Sequence, residues 1–135
     1  MRKYTHLVLL AFLPACGGCG GKSTDQLIED LRSGKEAERL KAVRILPQRK
    51  GDAAQVVPAL IEALKSPEAD IRWSAAIGLG NFGEQAKDAI PALEKAQSDR
   101  DARVREGARV ALFRIDPAGF PNPHKAKSPQ RKHGD

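Results

Sequence analysis

The sequence predicts an all-α protein, a short α-solenoid of three stacked antiparallel helical hairpins. Three observations lead there. A shift of 33 residues lays the chain on itself without gaps, apolar residues inside each unit recur at three- and four-residue steps, and 135 residues contain only six aromatics. A core so poor in aromatics must be built from Leu, Ile, Val and Ala, which suits close-packed helices better than a sheet. The apolar fraction of 41% and charged fraction of 30% are those of a folded chain, and the length suits one domain.

The repeat is read in columns. Leu27, Leu60 and Leu93 coincide under the shift, as do Ala42, Ala75 and Ala108, and Leu46, Leu79 and Leu112. Arg39, Arg72 and Arg105 form a charged column, Leu31 matches Leu64, and Pro58 matches Pro91. Val57, Leu60, Ile61 and Leu64 mark one amphipathic helix, and Ile71, Ala75, Leu79 and Phe82 mark the next. The hairpins are therefore predicted at about 24–33 with 36–48, 53–65 with 67–82, and 86–97 with 100–115. Ser23 with Gln26, and Asp52 with Gln55, have capping-box spacing. Ser66-Pro67 reads as an N-cap followed by proline at the first helical position. Gly83 suits a helix stop. One hairpin cannot bury its apolar side alone, so neighbours must share a core, and about three units are the practical minimum. The units are drawn at 24–52, 53–85 and 86–116.

These columns resemble HEAT repeats. The resemblance rests on Val-Pro-Ala-Leu-Ile-Glu-Ala-Leu at 57–64, Asp70-Ile71-Arg72-Trp73-Ser74-Ala75-Ala76 and Gly78-Leu79-Gly80, with Ala89 to Leu93 and Ala102 to Ala108 repeating the pattern. It is nearest to the bacterial HEAT-like repeats related to phycobiliprotein lyases and covers roughly 24–116. It implies an adaptor that binds protein partners on its second helices. Unit one departs, with Asp25 in place of the proline and Glu38 in place of the apolar Ile71 and Val104. A first repeat that faces water as a cap is expected to differ in this way.

Residues 1–15 read as an address. Met1-Arg2-Lys3 is cationic and Leu7 to Leu13 is a run of seven apolar residues, whereas a membrane-spanning helix needs about 20. The pattern is that of a secretory signal. Leu13-Pro14-Ala15-Cys16 resembles the bacterial lipobox, which implies cleavage before Cys16, its lipidation, and anchoring to a bacterial membrane. The competing reading of Cys16 and Cys19 as a redox or metal pair lacks a preceding strand and further ligands. Residues 16–23 then form the lipidated cysteine and a glycine-rich tether.

The formal charge is +6, but residues 16–115 hold 17 basic and 15 acidic side chains. No concentrated basic stripe marks the body, which counts against nucleic acid. The Arg39, Arg72 and Arg105 column is expected to align the stack through acids of its own or the next unit, the other reading being an anion-binding ladder. On a helical wheel Trp73 lies about 160–200° from the Ile71, Ala75 and Leu79 face and should point outward. It occupies a column that varies, with Leu40 and Glu106 at equivalent positions. Tryptophan is enriched at binding hot spots, so Leu40, Arg44, Trp73, Ile77, Arg109 and Phe113 are candidates for a partner-binding surface. Packing against the tail or a neighbouring helix is the alternative for Trp73.

No catalytic residue, metal site, cofactor motif or small-molecule substrate site is apparent. His6 lies in the signal, and His124 and His133 lie in a tail. That tail, 117–135, is proline-rich and weakly basic and reads as disordered. The expected function is a non-catalytic protein–protein interaction adaptor, lipid-anchored and exported to the bacterial cell envelope, with an unknown protein partner. The alternatives are an enzyme of the HEAT-like bilin lyase type and an electrostatic binder of an anionic surface or polyanion.

Overall fold

The computed structural model describes residues 21–125; the signal, Cys16, Cys19 and the tail beyond 125 lie outside them. Six α-helices run in order: α1 (Thr24–Ser33), α2 (Glu36–Ile45), α3 (Ala53–Ala63), α4 (Ala69–Phe82), α5 (Ile90–Ala96) and α6 (Ala102–Ile115). Short 3₁₀ segments at Leu46–Gln48, Lys50–Asp52 and Gly83–Ala89 join them. The pairs α1–α2, α3–α4 and α5–α6 are hairpins, and α2, α4 and α6 stack side by side as an inner layer. In the other layer α1 packs on α3, and α3 meets unit three through the 3₁₀ segment Gly83–Ala89. The fold is the predicted helical solenoid.

The repeat columns are the core. Ala42, Ala75 and Ala108 have no exposed surface, and Leu46, Leu79 and Leu112 expose at most 1%. Small and large residues thus alternate through one continuous interior. The motif Gly78-Leu79-Gly80 has a steric reason. A Cβ on Gly78 would stand 2.6 Å from Pro47 Cγ of unit one, and a Cβ on Gly80 would stand 3.0 Å from Ala111 Cα of unit three. The two glycines admit the neighbours on either side of α4 while Leu79 fills the core between them.

Several local expectations need correction. Ser23 and Gln26 form the capping box, with Gln26 N donating to Ser23 Oγ at 3.2 Å and Ser23 N to Gln26 Oε1 at 3.0 Å. Asp52 does not cap α3: its carboxylate accepts from the hydroxyl of Thr24 and so links the starts of α1 and α3. Ser66 and Pro67 precede the helix instead of opening it. Helix α4 starts at Ala69 with Glu68 at the N-cap, because the Ser66 hydroxyl accepts from Arg39 Nη2 at 2.8 Å and donates to Glu68. The helix predicted from 86 starts at Ile90, since Ala86 adopts φ −102° and ψ 22° and interrupts the turn. Pro91 consequently sits at the start of α5, whereas its repeat mate Pro58 lies inside α3. Gly83 does end α4, at φ 55° and ψ −133°.

Glu38 replaces an apolar residue and stays exposed, accepting from Lys35 N at 3.1 Å to satisfy the start of α2. At the other end, the tail is not structureless from 117 as its composition predicts. Asp116 Oδ1 accepts from Ala118 N and Gly119 N at 3.2 and 3.0 Å, and the turn it makes sets Phe120 against the core. Burial of one aromatic outweighs the polar, proline-rich average of the segment.

Candidate functional site

Two groups of side chains share the inner-layer helices: the arginine column and the surface around Trp73. The column makes its hydrogen bonds within the fold. Arg72 Nη1 donates to Ser66 O and Pro67 O at 2.9 and 2.8 Å, while its Nε and Nη2 clasp both oxygens of Asp99 at 2.8 and 2.9 Å. It therefore ties the turn of its own hairpin to the turn of the next. Arg105 repeats the first half, donating to Asp99 O and Arg100 O at 2.8 and 3.1 Å. Arg39 repeats the second half: Ser66 lies 27 residues beyond it, as Asp99 lies beyond Arg72. Arg39 adds an ion pair to Glu68 at 2.9 Å.

This geometry sets the charges. The Arg72 guanidinium holds the Asp99 carboxyl below the ordinary carboxylate range, and Asp99 in turn raises Arg72. The Ser66 hydroxyl, ahead of Arg39, lowers Glu68. All the guanidinium nitrogens of Arg39 and Arg72, and Nη1 of Arg105, donate within the fold. Sequence reading saw the arginine column but not Ser66 and Asp99, although the two share a repeat position and that spacing was the available clue.

Around Trp73 the six candidate residues do not form one patch. Arg44, Trp73 and Ile77 line a groove of about 470 Å³ between α2 and α4, with Gln48 and Asn81 at its upper walls. Among the described residues, Trp73 is the large apolar side chain left exposed, at 36%. Its outward position follows from the helical phase that buries Arg72, Ala75 and Leu79. One edge of the indole is nevertheless packed: a Cβ on Gly107 of α6 would lie 3.2 Å from Trp73 Cδ1. The indole is thus exposed on one side and packed against α6 on the other.

The other candidates separate. Arg109 pairs with Glu106 at 2.6 Å and opens onto a different groove of about 510 Å³, lined also by Phe120 and His124. Leu40 is half-buried against the core, and Phe113 is half-buried on α6 outside either groove. Two residues missed from sequence belong beside the first groove. Asn81 lines it, and Arg114 Nη1 donates to Asn81 Oδ1 at 3.1 Å. They lie one repeat apart, which is the sign by which they could have been found.

Among the described residues no group of three or more His, Cys, Asp or Glu could hold a metal ion. No helix among them is long and apolar enough to cross a membrane.

A family model described as HEAT repeats matches residues 24–112. The chain belongs to the HEAT-repeat family. The match spans all three hairpins up to Leu112, so the arginine column and the residues lining the Trp73 groove lie within it. HEAT repeats generally mediate protein–protein interaction, and the family is generally a non-enzymatic scaffold. No curated protein matches the chain.

Proposed function

We propose that this HEAT protein is a non-catalytic adaptor, held at a bacterial cell envelope by lipid on Cys16, that binds a protein partner through the groove centred on Trp73. The single observation that carries the reading is the exposed indole on the inner layer, beside a groove that the stack leaves open. Buried aromatic anchors supply much of the energy of protein interfaces, and an indole already held against Gly107 loses little side-chain freedom on binding. The arginines best placed to attract an anion along the column are occupied by carbonyls, Ser66 and Asp99, which supports a scaffold over a polyanion binder. The lipobox-like Leu13 to Cys16 supports the address.

Affinity capture from membranes with the intact protein and with Trp73→Ala tests the surface. The variant is expected to lose the partner while keeping its helical circular dichroism. Unchanged capture would remove the groove from the reading. Cys16→Ala tests the address separately: the variant is expected to leave the membrane fraction, and continued processing and membrane retention would refute the anchor.

A further inference from the structure

The Trp73 groove has a charge character that its repeat position does not require. One wall carries Arg44 of α2 and Gln48 of the 3₁₀ segment after it, the α4 wall carries Trp73, Ile77 and Asn81, and no carboxylate lines it. Arg114 reaches Asn81 from the α6 side. Elsewhere on the surface Lys22, Arg32, Arg103 and Arg109 each have a carboxylate partner, while other cations, Lys41 and Lys65 among them, take part in no salt bridge among the described residues. Arg44 and Arg114 are exposed and take part in no salt bridge among the described residues. Two uncompensated guanidiniums thus flank an exposed indole and a half-buried isoleucine. Guanidinium is weakly hydrated and matches carboxylate geometry with two parallel donors.

We infer that the groove takes an acidic segment of a partner protein, with an apolar side chain seated on Trp73 and Ile77 and carboxylates met by Arg44 and Arg114. This rests on the reading of the Trp73 groove as the partner surface and names the chemistry of that partner. A basic segment would place like charges against both arginines, so the groove selects against it as well as for the acidic one. The carboxylates provide register and encounter rate, and the apolar contact provides the anchor.

Trp73 is the one tryptophan of the chain, so its emission reports occupancy of this groove without a label. The probe is a 15-residue peptide of Glu, Asp, Leu and Ala, titrated into the full-length protein in non-ionic detergent. Its comparison peptide carries Lys at every acidic position. The acidic peptide is expected to shift Trp73 emission saturably to the blue, and the lysine peptide to leave it unchanged. Joint Arg44→Glu and Arg114→Glu substitution should weaken binding on the order of tenfold, since two exposed pairs are reversed. Raising salt from 0.1 to 1 M shrinks the screening length from about 10 to about 3 Å and should weaken it several-fold.

Equal binding of both peptides, no binding of the acidic one, or indifference to the double charge reversal overturns the proposal. So does an emission shift with anionic phosphatidylglycerol vesicles and none with the acidic peptide, which would assign the face to lipid. If Trp73→Ala abolishes partner capture while the double reversal does not, the groove stands as an interface and only its acidic preference fails.

Discussion

Replacing Asp99 by alanine would test whether the arginine clasp holds the stack in register. The Arg72 and Asp99 side chains are 7% and 13% exposed, and Asp99 accepts two hydrogen bonds from the guanidinium. The variant strips both from a cation that remains buried. At about 1.5–3 kcal/mol for each bond to a charged group, with the cost of leaving a buried charge uncompensated included, the loss is roughly 3–5 kcal/mol. A domain of this size has a total stability of about 5–15 kcal/mol. At about 4–8 °C per kcal/mol, Tm should fall by roughly 12–40 °C. The equivalent change at the other junction, Ser66→Ala, removes a neutral partner from Arg39, whose side chain is 21% exposed and keeps its bond to Glu68. The Ser66 hydroxyl also donates to Glu68, so the change removes bonds to two part-exposed charged groups and should cost about 1.5–3 kcal/mol. Urea unfolding followed by circular dichroism measures both. The acid limb is a second readout. Because Asp99 titrates lower in the folded protein than in the unfolded chain, its contribution is complete at neutral pH and is lost as pH falls through and below the ordinary carboxylate range. Asp99→Ala should therefore unfold with a shallower dependence on acid. If Asp99→Ala costs no more than Ser66→Ala, or its acid limb is unaltered, the pair is solvated and does not set the register.

Four other substitutions follow from the packing. Ser74→Ala should stabilise the protein by about 1 kcal/mol in urea melts, because the Ser74 hydroxyl is buried without a hydrogen-bond partner; a loss of stability would mean that the hydroxyl is satisfied. Gly80→Ala pushes a methyl against the α6 backbone at Ala111 and should cost about 1–3 kcal/mol, whereas Gly51→Ala, with nothing within 4 Å, should be nearly neutral by the same measurement. Gly83→Ala must hold an L-residue at φ 55° and ψ −133° and should lower stability by about 1–3 kcal/mol; a smaller effect by thermal melting would show that the chain end of α4 can relax.

The sequence by itself determined the helices and the interior. Leu, Ala and Arg recurring at one spacing required that each hairpin present the same face, so Ala42, Ala75 and Ala108, with Leu46, Leu79 and Leu112, had to meet inside. It also pointed Trp73 outward, since helical phase is local and a residue's direction follows from its neighbours. Tertiary structure decided whatever depends on two units at once. Ser66 looked like a cap and became the acceptor of an arginine from the preceding repeat, Asp52 turned to Thr24 instead of α3, and Phe120 found a wall in a segment whose composition gave no sign of one. Arg109 left the Trp73 groove because it faces the one lined by Phe120, where it pairs with Glu106, while Arg114 joined the first through Asn81 of the unit before. Periodicity specifies which face a side chain takes. It does not specify the distance to a donor or acceptor on a neighbouring unit, and at that distance a polar group is either satisfied or left for a partner.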